Sequence, residues 1–245
     1  MPEGHTLHRL AEDLQPLVGR RVAASSPQGR FAEGARRIDG CRLESVEAVG
    51  KHLLLDFDDD VTVHVHLGLA GSMFLSDPSG ESPSGVRLRL VDEDCTVAWN
   101  LVAPTRCELW SDGERDALLR RLGADPLRGD NPQPAFDRIG RSDRTIGDLL
   151  LDQSVIAGIG NVFRAEVLHC CGVHPGRPGR SLTPAELTCL WETATAQMRR
   201  AVTDGRIGPD RFVYKQEACR RCGGPVTSWA LGPRTAYACA TCQPL

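Results

Sequence analysis

Apolar residues recur at helical spacing at the start of the chain and then change period. Leu7, Leu10, Leu14, Leu17 and Val18 follow a 3.6-residue repeat with charged positions between them, predicting a helix over 6–18 that Gly19 closes. From residue 21 to about 110 the pattern becomes short alternating or β-branched runs, at 42–49, 52–57, 61–67, 71–75, 86–91, 96–100 and 107–110. Clusters such as Asp77-Pro78-Ser79-Gly80 separate them, and many short strands at this interval predict a β-sandwich or barrel. A stretch rich in Pro, Gly and Asp follows at 123–134. Helical periodicity then returns at 145–151, 161–170 and 184–202, the last with Thr183 as N-cap, Pro184 at N1 and Glu186 at N3. The predicted layout is a β-rich domain (1–115), a linker (116–134), a helical domain (135–210) and a cysteine-bearing module (211–245).

Composition narrows the class. At 245 residues, 41% hydrophobic and 25% charged, the sequence has the make-up of a soluble globular protein, not of a disordered, collagen-like or coiled-coil chain. Its apolar runs are too short to span a bilayer, and the start Met1-Pro2-Glu3-Gly4-His5 has neither a basic region nor an apolar run. A cytoplasmic protein with no membrane partner is expected.

A net charge of −3 argues against a nucleic-acid partner until it is divided. Residues 1–140 carry 16 basic and 23 acidic side chains, a balance of −7, whereas 141–245 carry 13 and 9, a balance of +4. Phosphate binding needs a local basic surface, so the C-terminal part is the better candidate for backbone contact. Lys51 and Lys215 are the two lysines beside 27 arginines, which makes Lys51 conspicuous, although coding bias explains most of the imbalance.

Ten cysteines without a secretory signal point away from a disulfide framework. Cys41, Cys95, Cys107, Cys170, Cys171 and Cys189 are scattered and read as small buried or semi-buried residues. Cys219-x2-Cys222, sixteen residues, then Cys239-x2-Cys242 has the spacing of a zinc ribbon with room for a hairpin between its knuckles. Four thiolates close the coordination sphere, so one structural Zn2+ per chain is expected.

Other chemistry is local. Removal of Met1 would leave Pro2 as a secondary amine, able to form an iminium with an aldehyde-like sugar carbon, with Glu3 beside it as acid or base. The same four residues also read as an ordinary start before a helix. Ala157-Gly158-Ile159-Gly160-Asn161 reads as a tight turn with Asn161 capping the next helix. The amides there suit a phosphate, or the turn is a corner without a ligand. Gly232-Pro233-Arg234-Thr235 puts a guanidinium near the ribbon tip, as a DNA contact or a plain surface arginine. His64 and His66 share one face of a strand and read as polar contacts or site lining.

Taken in order, Pro2-Glu3-Gly4, Gly50-Lys51-His52-Leu53, His66-Leu67-Gly68-Leu69, Asp152-Gln153 through Ile159-Gly160-Asn161, and the ribbon with Gly232-Pro233-Arg234 resemble one family across essentially the whole chain. The chain resembles the formamidopyrimidine-DNA glycosylase/endonuclease VIII family of base-excision repair enzymes, most of all its bacterial endonuclease VIII branch. The resemblance implies an α+β fold: an N-terminal β-sandwich with flanking helices and a C-terminal helix–two-turn–helix domain with a zinc ribbon. It implies a monomer acting on damaged duplex DNA as glycosylase and lyase. Pro2 would attack C1′ of a flipped nucleotide, Glu3 would protonate the sugar ring oxygen, and Lys51 and Arg234 would complete the catalytic set. His66 and Asn161 would meet the DNA backbone, and Leu69 would fill the gap left by the flipped base. Thr6 stands where many members have a second glutamate, the other gap-filling positions fall within 103–108, and the segment 205–218 is short. The last feature favours oxidised pyrimidines and hydantoins over 8-oxoguanine. The alternatives are a non-catalytic damaged-DNA-binding paralogue and a glycosylase that prefers 8-oxoguanine or formamidopyrimidines.

Overall fold

The computed structural model describes residues 2–58, 60–208 and 211–245, arranged as two compact units. One comprises Pro2 and Thr6–Arg120; the other comprises Glu3–His5 and Arg121–Leu245.

The N-terminal unit is a sandwich of two four-stranded sheets, and every strand pairing within it is antiparallel. The first sheet has the order β1 (Val22–Ser25), β6 (Val86–Asp92), β7 (Ala98–Val102), β5 (Ser72–Ser76). The second has β2 (Leu43–Val49), β3 (His52–Phe57), β4 (Val61–His66), β8 (Arg106–Trp110). Alternate residues of both sheets (Leu53, Leu55, Val63 and Val65 from one, Leu88, Leu90, Trp99 and Leu101 from the other) meet in one core. Helix α1 (Gly4–Asp13) adds Leu7 and Leu10 to that core, and Leu14 and Leu17 follow them in. The helix ends earlier than its apolar repeat because Pro16 has no amide to continue it, and Gln15–Leu17 tightens into a 3-10 turn.

The C-terminal unit is built from α4 (Gln133–Gly140), α5 (Ile146–Leu149), α6 (Asn161–Cys170) and α7 (Pro184–Asp204), followed by the hairpin β9 (Val226–Leu231) and β10 (Arg234–Cys239). Thr183 and Glu186 form the full capping box of α7, and Gly205 ends it in the left-handed region at φ 69°. Residues 161–169 of α6 are all buried, so this helix is the axis of the unit.

The structure departs from the sequence pattern in three respects. Strand β1, α2 (Ala32–Ile38), α3 (Asp112–Arg121) and α4 fall outside the elements that the apolar pattern predicts. In α3 Leu118 is the buried residue of a charged ten-residue helix, and α3 and α4 both run into the stretch read as linker. The scattered cysteines divide differently from expectation: Cys171 and Cys189 form a disulfide between the end of α6 and α7, and Cys95 is exposed. Their 18-residue separation carries no motif, so the pairing depends on how the two helices pack. Finally, Gly160 and not Asn161 is the N-cap of α6.

Candidate active site

The first turn of the chain docks onto the start of α6. Glu3 is 1% exposed, and its carboxylate accepts from the amides of Gly160 (2.9 Å), Val162 (2.8 Å) and, more weakly, Phe163 (3.4 Å). These are the otherwise unpaired donors of a helix N-terminus, where the backbone dipoles favour a negative charge. The anion place expected for phosphate is thus filled by a side chain of the protein itself. Two glycines make the approach possible. A Cβ on Gly160 would lie 2.3 Å from the Glu3 carboxyl carbon, and one on Gly4 would lie 2.7 Å from Gly158 Cα. The Gly4 amide donates to the Gly158 carbonyl at 2.9 Å, and the His5 ring meets Phe163 edge-on. Pro2, one residue earlier, is half-buried; loss of Met1 concerns a position outside the described residues.

Gln153 fixes the turn that Glu3 meets. Its amide donates to the carbonyls of Leu151 (2.9 Å) and Ile159 (3.1 Å) and accepts from the Gly158 amide (3.0 Å). On the far side of α6, Asn161 and Arg164 hold the ribbon tip. Asn161 Nδ2 donates to the Thr235 carbonyl at 3.1 Å and Arg164 Nη2 to the same oxygen at 2.7 Å. Arg234, the residue before, opens β10 opposite Leu231 across the two-residue turn Gly232-Pro233, with Gly232 at φ 57°, and is exposed. Asn161 Oδ1 is buried with no hydrogen-bond partner among the described residues.

Arg164, Glu166 and His169 are buried polar residues that sequence reading missed. Burial pushes the Arg164 guanidinium down from its ordinary value, with Asp148 and Glu3 opposing. Glu166 accepts from the amides of Phe212, Val213 and Tyr214, at 2.7, 3.1 and 2.8 Å, fixing the segment that leads into the ribbon. The usable signal was a charged residue at every second or third place of a helix with no polar face. The segment 205–218 includes 209 and 210, which lie outside the described residues.

The ribbon brings Cys219, Cys222, Cys239 and Cys242 together with all four sulfurs within 4.8 Å of one another. Cys219–Cys242 and Cys222–Cys239 are 4.0 and 3.5 Å apart. A tetrahedral ion with bonds of about 2.3 Å needs sulfur edges of roughly 3.8 Å, so the set fits a metal of zinc's size and preference. The Gly224 amide and the neighbouring thiols lower Cys222, while the same shared hydrogen bonds raise Cys242. His169 Nε2 lies 3.2 Å from Cys219 Sγ, in the place of an outer partner to a ligand.

A second cluster belongs to the N-terminal unit. Gly50, at φ 59°, and Lys51 form the two-residue turn of the β2–β3 hairpin. His66 ends β4; its Nδ1 accepts from the Gly68 amide at 3.1 Å, which puts the ring proton of the neutral form on Nε2. Burial, then Lys51 and Arg106, hold His66 below its ordinary value. Gly68, at φ 66°, lies against Thr105, whose amide donates to the His66 carbonyl at 2.9 Å. This contact leaves Leu69 59% exposed at the tip of its loop. Within 103–108, Thr105 and Arg106 point outward beside that loop, while Cys107 is buried and pushed up to about 12. Arg106 is a further cation of this end that the sequence did not single out.

Comparison with known proteins gives the class first. Residues 1–100 match the formamidopyrimidine-DNA glycosylase N-terminal domain, and residues 122–211 match the formamidopyrimidine-DNA glycosylase H2TH domain. The protein is a DNA glycosylase of base-excision repair. Endonuclease 8 1 of Mycobacterium tuberculosis is 40% identical over 99% of this chain and 100% of its own length. The formamidopyrimidine-DNA glycosylase of Corynebacterium jeikeium is 29% identical over 99% of both chains. The Lactococcus lactis enzyme, solved with DNA containing N7-benzyl-Fapy-dG, shares the fold at a TM-score of 0.84, with 21% identity and full coverage of both chains. The chain belongs to the formamidopyrimidine-DNA glycosylase/endonuclease VIII family. Among the described residues no helix is long and apolar enough to cross a membrane.

Proposed function

We propose that this protein removes oxidised bases from duplex DNA and cuts the strand at the resulting site, using the Pro2 amine as nucleophile. The observation that carries the reading is the seating of the buried Glu3 carboxyl group on the α6 amides, which fixes that group at the residue next to the amine. A protonated amine is no nucleophile, so Pro2 must first give up a proton, and the Glu3 carboxyl is the neighbouring group that can carry it. The Pro2 lone pair then forms a bond to C1′ as the N-glycosidic bond breaks with its electrons leaving on the base, which takes up the proton that the new ammonium nitrogen sheds. The proton taken up by Glu3 passes to the ring oxygen as the sugar opens and the iminium forms. Loss of the C2′ proton expels the 3′ phosphate, and loss of the C4′ proton in a second elimination expels the 5′ phosphate.

Lys51 and Arg234 are cations for the phosphates on either side of the lesion, with His66 and Asn161 as backbone contacts and Leu69 as the apolar filler of the vacated stack. The sandwich (1–115), the linker (116–134), the helical domain (135–210) and the ribbon (211–245) divide this work. One Zn2+ held by Cys219, Cys222, Cys239 and Cys242 would rigidify the ribbon and take no part in the reaction. The enzyme acts as a monomer, in the cytoplasm where its DNA substrate is. The short segment 205–218 favours oxidised pyrimidines and hydantoins over 8-oxoguanine.

The test is a set of duplexes each carrying one oxidised pyrimidine, one hydantoin or one 8-oxoguanine. Base release with phosphate on both strand ends is expected for the first two. DNA bound but never cut would favour the non-catalytic alternative.

A further inference from the structure

A run of ring contacts leads from the interior of the second sheet to the Lys51 turn. His64, on β4, is 1% exposed. Its ring stacks on Trp110 of β8 at 3.7 Å between centroids, and its Nδ1 lies 4.0 Å from a Glu108 carboxylate oxygen. On its other side, His64 Nε2 and His52 Nδ1 are 2.8 Å apart, so one ring donates and the other accepts. His52 is the residue after Lys51 and the first of β3, and its ring centroid is 5.1 Å from that of His66.

The side chains credited with phosphate contact therefore stand at one end of this run. Lys51 sits in a turn of two residues, which fixes its backbone through Gly50 and leaves a long flexible stem. His52 is half-buried, and a half-buried ring beside a turn has several rotamers open to it unless something holds it. The interior ring does so: His64 is clamped by Trp110 and offers a nitrogen where His52 needs one. An imidazole at a sheet position that packing alone would fill with an apolar residue calls for such a reason.

We infer that His64 is a positioning residue for the DNA-binding end of the sandwich, acting on Lys51 and His66 through the hydrogen bond it shares with His52. The inference rests on the reading of Lys51 as a phosphate contact, and deepens it. It assigns the His64–His52 pair a task that neither ring performs by touching DNA.

Two substitutions at one buried site separate positioning from packing. If His64 merely fills space, His64→Leu is the better replacement, and His64→Gln is the worse because it buries an amide. If it positions His52, the order inverts, since the glutamine amide supplies a hydrogen-bonding group and leucine does not. His52→Ala removes the same bond from the half-buried side and keeps the question open should the interior variants fold poorly. Binding is read by fluorescence anisotropy with a duplex holding a tetrahydrofuran abasic analogue. Catalysis is read by the rate of borohydride trapping on a true abasic duplex, at saturating and half-saturating DNA.

The expected result is a rise of about three- to tenfold in the half-saturating DNA concentration for His64→Leu and His52→Ala. The saturating rate should change little, and His64→Gln should recover most of the affinity. Leucine binding as tightly as wild type, or more tightly than glutamine, overturns the inference. So does an unchanged His52→Ala. Should wild type bind but fail to trap, the proline mechanism falls while the affinity series still decides the positioning role.

Discussion

Replacing Glu3 by glutamine separates the structural from the chemical part of its role. The carboxylate uses one oxygen for the Val162 amide at 2.8 Å and the other for the Gly160 amide at 2.9 Å, with Phe163 at 3.4 Å. Glutamine retains one acceptor oxygen and turns an NH2 group toward the remaining amide, leaving that donor buried and unpaired. Such a group costs about 1–3 kcal/mol. The negative charge at the helix end adds about 0.3–2 kcal/mol, toward the upper part of that range in a buried setting. Together the loss is about 3 kcal/mol, which for a chain of this size lowers Tm by roughly 6–12 °C. Differential scanning calorimetry of Glu3→Gln against wild type reads it directly. Glu44→Gln, at an exposed position of β2, serves as control and should shift stability by less than about 0.5 kcal/mol. Activity is expected to vanish in Glu3→Gln, but that alone would not distinguish a lost proton carrier from a lost cap. A Glu3→Gln protein that melts with wild type would refute the claim that this carboxylate holds the start of α6.

Two further outcomes follow from the same structure. The Arg177 guanidinium, 2.5 Å from Glu186, together with the Thr183 cap, holds the Glu186 carboxyl down to about 2, against 4.5 normally. Its stabilising contribution is complete above the ordinary value and is lost as pH falls from 4.5 toward 2. Urea midpoints of wild type and Glu186→Gln should therefore differ at pH 6, draw together as pH falls below 4.5 and converge only at about pH 2; a constant gap would contradict the ion-pair origin. In the ribbon, Cys239→Ser should reduce zinc from one per chain to a trace and weaken affinity for abasic-analogue DNA by tenfold or more, measured by metal analysis and anisotropy. Full zinc retention would remove the four-thiol site from the account.

Strand β3 (His52–Phe57) and helix α6 (Asn161–Cys170) were legible to the residue because turn signals bound each, Gly50-Lys51 and the acidic run 58–60 around the strand, Gly160 and Gly172 around the helix. The sandwich core was legible for the same reason. What escaped lacked local contrast. Helix α3 is charged on nearly every face, and the α6 side chains Arg164, Glu166 and His169 interrupt an otherwise buried helix without forming a motif. The Cys171–Cys189 bond depends on the approach of α6 to α7, which no spacing encodes. The candidate site was legible as separate pieces. Pro2-Glu3-Gly4 and Gly158-Ile159-Gly160-Asn161 each read as a signal, but not that one supplies the anion the other receives. That relation appears when two backbones come close enough for a Cβ to clash.

The central claim is that the chain's own N-terminal amine is the nucleophile. Incubation with an abasic-site duplex, reduction with borohydride and mass mapping of the adduct test it most directly. With Lys51 and Lys215 as the two lysines, the competing amines are few and fall in different peptides. The predicted result is one adduct, on the peptide that begins at Pro2, lost when residues are added ahead of Pro2. An adduct on Lys51 or Lys215, or undiminished trapping by the extended protein, would contradict it.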